Sequence, residues 1–462
     1  MTIDTRLACA QSTPFWATTV PDLPACDQAT TDASCALAIV GGGFTGLWSA
    51  LKARERNSDA KIIVLEAKRC GQDASGRNGG FCAPSISHGV SNALTRHPAE
   101  ADTLIRLGQE NLDDYAADLD QYDMDAGFER SGKLNVAATP WQVEGLQAMA
   151  RSYARFGIKH SLLSGPALTE KLNSPVYSAG LFEPNYALVN PAKTVAELRR
   201  VCLEKGIVLF ENTAVIQLAR DGAVLRLQTA NAVIRANQVI LATNAARPLL
   251  KRLSLSFIPI YDYSLVSQPL SDAQWASIGW TGRHGVADTG NQFHYVRKTA
   301  DNRMLWAGYD AIYHYGSDRS DALLHRDESF ARLADQFAVA FPPLADVKFD
   351  HAWGGVIDTS ARTTFFSGLA YGGQVAYAMG FTGQGVSASR FAALTMLDLL
   401  DGADTKRTRL KMPSRWAVPF PPEPIRSLAV RMAQRGLARE DATGHRSAFL
   451  RLLDAFGVGF GS

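Results

Sequence analysis

The sequence predicts a two-domain α/β (α+β) protein built around a helix-flanked, Rossmann-like sheet. Three observations predict it. An apolar run, Cys35 to Val40 (CALAIV), enters a glycine loop and then a helical pattern. A second strand–glycine loop–helix unit recurs far downstream, from Val375 to about Leu400. Between them lie further strand and helix signals, enough for a second domain.

Bulk properties set the limits. The chain has 462 residues, 46% hydrophobic and 20% charged, enough for two or three domains with sizeable cores. A formal net charge of +2 offers no electrostatic case for nucleic acid or an anionic membrane as partner. No apolar run approaches the roughly 18 residues of a membrane span. The amino terminus has no basic region followed by an apolar stretch, so no secretory signal is read there. Six cysteines form no CxxC pair, and nine histidines show no metal-ligand spacing. Free thiols, a cytoplasmic setting and no metal are expected.

The elements follow in order. Residues 1–30 read as an irregular lead-in, with Phe15 and Trp16 as a packing anchor. Cys35–Val40 suits a strand buried on both faces. It runs into Gly41-Gly42-Gly43-Phe44-Thr45-Gly46, and a helical pattern continues to Arg56. Lys61–Leu65 (KIIVL) is a second strand, ending at Glu66. Gly41 permits the turn, Gly43 lets backbone approach a pyrophosphate, and Gly46 lets helix and strand pack closely. Free N–H groups at the helix start face the phosphates. Glu66, 20 positions after Gly46, suits the ribose hydroxyls. Together these predict a Rossmann-like dinucleotide site.

The next stretch, Ala74-Ser75-Gly76-Arg77-Asn78-Gly79-Gly80-Phe81, is not what a plain nicotinamide-nucleotide domain would be expected to carry here. Its side chains supply donors at Ser75, Arg77 and Asn78. Gly76, Gly79 and Gly80 let the main chain pass close to a ring, which suits an extended cofactor held at its second half.

The succession GGGFTGLWSA, a terminal glutamate and ASGRNGG resembles the FAD-dependent amine and amino-acid oxidoreductases of the D-amino-acid-oxidase-like superfamily. Within it, the sequence most resembles the γ-glutamylputrescine oxidase-like branch. The resemblance implies an FAD-binding domain of the glutathione-reductase type, with the flavin held non-covalently. It implies that Gly41, Gly43, Phe44, Thr45, Gly46 and Glu66 hold the ADP half, and that residues 74–81 lie along the ribityl chain and isoalloxazine. It places the backbone at Val215 on the adenine edge, and the turn containing Thr243 and Asn244 back at the cofactor. Gly380, Thr382, Gly383, Gln384, Gly385 and Val386 open the last helix of the FAD domain, whose positive end would stabilise reduced flavin.

On this reading the discontinuous FAD domain takes residues 31–95, 190–250 and 350–402, and a discontinuous substrate domain, with an antiparallel sheet over the flavin, takes 96–189 and 251–349. Leu104–Leu119, Gln142–Phe156 and Arg326–Phe341 read as helices; Gly132–Ala138, Phe293–Val296 and Asn302–Tyr309 read as strands. Residues 403–462 form a tail. Five prolines between Pro413 and Pro424 exclude regular structure there, and helical patterns follow at Ile425–Arg435 and His445–Phe456. No catalytic role is read for the tail.

The resemblance implies oxidation of a primary or secondary aliphatic amine to an imine and then an aldehyde, with O₂ reduced to H₂O₂. The alternatives are a dehydrogenase serving another acceptor and a flavin-bearing subunit of a larger complex. α-Amino-acid oxidases of this superfamily typically carry a carboxylate-binding arginine in the strand corresponding to 349–358. Here Ile357 stands near that position, with Arg362 as a possible substitute. Residues expected to line the reaction site are His351, Trp353, His88, Tyr261 with its neighbour Tyr263, and Gln384. Small-molecule amine, electron acceptor and a homo-oligomer are the expected partners. No motif demands a covalent link to flavin at His88 or Cys82.

Overall fold

A computed structural model describes residues 4–459, so the first three residues of the lead-in and the last three of the tail lie outside the described residues. Ala33–Val40 is the central strand of an eight-stranded sheet. It pairs in parallel with Ile62–Leu65 on one side and Val233–Leu241 on the other. Val208–Phe210 and Val375–Met379 extend the parallel run outward. Phe366–Ala370 and the hairpin Gln217–Asp221/Val224–Gln228 are the antiparallel additions.

Alternation explains why the central strands are apolar throughout. Leu37, Ile39, Ile62 and Val64 face the helices Phe44–Arg56, Pro191–Glu204 and Gly385–Leu400. Ala38, Val40, Ile63 and Leu65 face the other way, onto Leu218, Leu225 and Leu227 of the hairpin. Successive side chains point to opposite faces, so a sheet covered on both sides needs apolar residues at every position.

The second sheet also has eight strands, in the order Phe349–Ser360, Phe257–Ser267, Met304–Gly308, His294–Lys298, Gly285–Asp288, Lys133–Ala137, Ala179–Glu183, Ser161–Ser164. All neighbours are antiparallel except Gly285–Asp288 with Lys133–Ala137. The sequence assigned residues 350–402 as one piece to the first domain. The structure instead places Phe349–Ser360 at the edge of the second sheet, in register with Phe257–Ser267 along nearly its whole length. The boundary therefore falls at the turn after Ser360. Local pattern does not reveal which sheet a strand joins, since either offers a half-buried surface.

Two other departures are local. The glycine-rich stretch contains one helical turn, Ala74–Arg77, before the short strand Phe81–Cys82. The tail helix runs from Ile425 to Thr443, past Arg435, and stops where Gly444 adopts φ 72°, a left-handed cap. Pro413 lies within a single turn, Lys411–Ser414, where a ring without N–H is tolerated. Phe15 and Trp16 are buried, and the Trp16 indole donates to the Asn78 carbonyl at 2.8 Å.

Candidate active site

A cavity of about 570 Å³ lies where the carboxyl ends of the parallel strands meet the second sheet. Three loops build its first half. In the glycine loop, Gly41 has φ +112°, and a Cβ there would lie 2.4 Å from the Ala242 carbonyl oxygen. A Cβ at Gly46 would lie 1.8 Å from the Gly41 oxygen. Both glycines are therefore demanded by chain packing, and neither lines the cavity. Gly43, Phe44 and Thr45 do line it, at the helix start. The Phe44 N–H donates to Ser75 Oγ at 2.9 Å, tying this loop to the next.

Glu66 is fixed at the end of the second strand. Its Oε2 accepts from the Gly42 N–H at 2.6 Å and its Oε1 from the Lys68 N–H at 2.8 Å. Burial raises its pKa against the pull of these two donors. A carboxylate has about four acceptor sites, so two remain for hydroxyl donors. Val215 packs beside this region against the hairpin face of the sheet, and the Thr213 N–H donates to the Glu66 carbonyl at 2.8 Å.

The strip 74–81 is held rigidly. Asn78 Nδ2 donates to the Ala74 and Ser75 carbonyls, and its Oδ1 accepts from the Gly80 N–H at 2.8 Å. A Cβ on Gly79 would meet the Tyr295 ring at 2.6 Å, and one on Gly80 the Val189 oxygen at 2.2 Å. Buried Arg297, pushed down to about 9 by desolvation, donates to Val189 O at 2.6 Å beneath the strip. Gly76 is likewise constrained, with Gly71 O at 2.3 Å from a Cβ there. Ala74, Ser75, Arg77, Asn78, Gly79 and Phe81 line the cavity.

The last loop is set by Asp358, whose carboxylate accepts from the N–H groups of Gly380 (2.5 Å) and Phe381 (3.1 Å). Burial pushes this carboxyl up to about 7. Thr382, Gly383, Gln384, Gly385 and Val386 line the cavity, and nothing but Ile357 comes within 4.0 Å of a Cβ on Gly383. His88 Nε2 faces the Thr382 carbonyl at 3.2 Å, so that nitrogen carries the proton. Burial lowers His88 to about 4, and the ring is neutral at physiological pH. Among the described residues, five of the ten non-glycine positions with left-handed φ line the cavity: His88, Asn244, Tyr309, Thr363 and Thr382. Such conformations persist where the surroundings enforce them, often at functional sites.

These residues fit FAD. Two helix starts supply free N–H groups and Glu66 keeps acceptor capacity; Thr243 lies just past the carboxyl end of Val233–Leu241, outside the cavity lining, with its buried Oγ1 unpartnered among the described residues.

The second half of the cavity was only partly legible. Trp353 and His351 do not line it. Trp353 Nε1 donates to the Arg77 carbonyl at 3.0 Å, supporting the strip from behind, and His351 Nδ1 meets the Thr13 carbonyl at 3.0 Å. Tyr261 and Tyr263 are buried on the far face of their strand, with hydroxyls on Asp318 O and Leu323 O. The intervening positions Ile260, Asp262 and Ser264 face the cavity instead. Arg362 lies beside a separate small recess with Arg415, whereas Ile357 lines the cavity.

Sequence reasoning missed Asp262. Its Oδ2 accepts from the Tyr295 hydroxyl at 2.8 Å and its Oδ1 from the Tyr263 N–H at 2.7 Å, and burial pushes it up to about 6. The signal was present: an acid between two tyrosines of an alternating strand faces opposite to them. Lys133, lowered by burial, also lines the cavity, with its ammonium 5.4 Å from the Tyr186 ring centroid. So do four residues of the tail helix, Val430, Ala433, Gln434 and Leu437, which no sequence signal had connected to the site.

The fold and this cavity define a nucleotide-dependent redox enzyme, and comparison makes the assignment specific. The family described as FAD dependent oxidoreductase (DAO) matches residues 36–399, and this chain belongs to it, with FAD as its cofactor. The chain is 29% identical to γ-glutamylputrescine oxidoreductase of Escherichia coli (strain K12), over 80% of this chain and 84% of that protein. It is 27% identical to the probable oxidoreductase OrdL of Haemophilus influenzae, over 81% of this chain and 86% of the relative. The crystal structure of glycine oxidase from Geobacillus kaustophilus shares the fold, with a TM-score of 0.69 at 19% identity, covering 81% of this chain and 96% of that one.

Proposed function

We propose that this enzyme oxidises a primary or secondary aliphatic amine to an imine, which water hydrolyses to an aldehyde, and that O₂ takes the electrons to give H₂O₂. For a primary amine the balance is R–CH₂–NH₂ + O₂ + H₂O → R–CHO + NH₃ + H₂O₂. Bound FAD supplies the two-electron acceptor for the C–H bond next to nitrogen.

The observation that carries the reading is the pairing of Asp262 with Ile357. A half-buried carboxylate faces the cavity next to Tyr295, and Tyr295 packs on the strip at Gly79. An apolar side chain occupies the place where an α-amino acid's carboxylate would need a guanidinium fork. The cavity arginines are otherwise committed: Arg77 donates to the Gly354 and Gln72 carbonyls, and Arg332 is paired with Asp310. Asp262 attracts an ammonium ion, and its raised basicity lets a carboxylate oxygen take the surplus proton, which frees the nitrogen lone pair that oxidation needs. Gly43, Phe44, Thr45, Ser75, Asn78 and the loop Gly380–Val386 hold the cofactor, with Glu66 on its ribose. Similarity to γ-glutamylputrescine oxidoreductase supports the substrate class.

The test is anaerobic addition of an amine panel to the yellow protein, followed by readmission of air. Bleaching with amines, recovery in air and release of peroxide are expected. Bleaching without recovery would replace O₂ by another acceptor. A flavin that no amine bleaches would end the amine reading.

A further inference from the structure

The family match ends at residue 399, yet the cavity wall continues into chain well beyond it. Val430, Ala433, Gln434 and Leu437 have the i, i+3, i+4, i+7 spacing of one helix face, and all four line the cavity. The helix Ile425–Thr443 is fastened across the opening at both ends. The Asp441 carboxylate accepts from the Asn291 N–H (2.7 Å), the Asn291 amide (2.9 Å) and the Gln292 N–H (2.9 Å). At the other end, the Glu423 carboxylate accepts from the Tyr313 hydroxyl (2.5 Å) and the Gly316 N–H (3.1 Å), and Arg426 donates to Ser317 Oγ (2.8 Å). Midway, the Gln434 amide donates to the Ala311 carbonyl. The anchoring loops themselves line the cavity, at Asn291, Gln292, Ala311 and Ile312.

Across from this helix stands the strand that carries Asp262. Ile260 faces the cavity from the same side of that strand and packs in one cluster with Val430. Ile260 and Asp262 are two residues apart, hence roughly 7 Å along the strand. The chamber thus has a carboxylate at one end and an apolar wall of Ile260, Val430, Ala433 and Leu437 at the other.

We propose that the C-terminal helix is the specificity wall of the substrate chamber, selecting an aliphatic amine by the length of its chain, with the nitrogen at Asp262 and the hydrocarbon chain against Val430, Ala433 and Leu437. This rests on the amine reading for the nitrogen end only. The wall itself follows from the cavity lining. Burial of each methylene in such a chamber raises affinity about fourfold, until the chain meets the helix.

The probes are alkylamines of increasing length whose nitrogen-bearing carbon carries two methyl groups and no hydrogen, so that none can be oxidised. Each is titrated into the holoenzyme and read by perturbation of the flavin absorbance. Affinity rises with length to an optimum and then falls. Ala433→Leu moves the optimum to shorter chains and weakens the wild-type optimum ligand at least tenfold; Leu437→Ala moves it to longer chains. Leu428→Ala, on the exposed outer side of the helix, leaves the profile in place. An optimum unchanged in both inner-face variants overturns the proposal. Iodide quenching of flavin fluorescence gives a readout that needs no amine: Leu437→Ala raises the quenching constant at least twofold, and Ala433→Leu lowers it. If quenching responds but no amine perturbs the spectrum, the wall stands and the amine reading falls. If amines bind and neither the length profile nor quenching responds, the wall falls and the amine reading stands.

Discussion

One end of the cavity is made of backbone, the other of side chains. At the end proposed for the cofactor, glycine loops and helix starts present main-chain N–H groups, and the side chains that matter mostly bind the chain to itself. Asn78, Asp358 and Glu66 each accept hydrogen bonds from nearby backbone amides. At the end proposed for the substrate, single side chains from distant segments converge: Asp262 and Ile260 from one strand, Tyr295 from another, Leu437 from the tail. A backbone site tolerates no change of shape, because its contacts are shorter than a side chain. A side-chain site tolerates shape changes and loses selectivity instead.

That contrast can be broken at four points, in decreasing order of effect. Gly46→Val has no room, with the Gly41 oxygen 1.8 Å from its Cβ. Overpacking of this kind costs about 3 kcal/mol or more; colourless protein of lowered Tm is expected, read by the flavin-to-protein absorbance ratio. Asp262→Asn keeps the flavin and weakens amine binding by about 2 kcal/mol, near thirtyfold, the range for hydrogen bonds to charged groups. The pH dependence has a definite sign. Burial pushes Asp262 up to about 6, so its charge is present above that pH and lost below it, and wild-type amine affinity falls as pH drops through 6. The Asn variant lacks that fall, and Tyr295→Phe moves the midpoint upward by removing a donor to the carboxylate.

The third effect is smaller. Asp441→Ala frees one end of the tail helix, a loss of about 1 kcal/mol, and flattens the chain-length profile with no change in flavin content. Trp353→Phe is the mildest. It removes the indole donor to Arg77 O, costs about 1 kcal/mol, and is read as a slightly lowered Tm and slightly weaker FAD retention. Amine selectivity stays as it was. A Trp353→Phe variant with altered selectivity would show that the strip and the chamber are not separable.

The strands at 35–40, 61–65 and 375–379 were legible because burial on both faces leaves a continuous apolar run that few other structures require. The glycine loops were legible because left-handed φ and close chain approach admit glycine and little else, as at Gly41 and Gly80. Tyr261 and Tyr263, expected to line the reaction site, face away from the cavity because a single strand does not announce which parity points inward; only its pairing with Phe349–Ser360 and the packing of Phe330 against Tyr263 fix that. Asp262 was passed over for the same reason.

By itself, then, the sequence determined the nucleotide-binding scaffold and the strip of backbone at 74–81, since both rest on local geometry written in residue type. Tertiary structure alone decided the cavity end proposed for the substrate. The edge strand Phe349–Ser360 joins the second sheet through long-range pairing, and the tail helix reaches the cavity through contacts with loops more than a hundred residues away. Such contacts leave no periodic trace in the segments that make them, because each segment carries only its own half of the complementary surface.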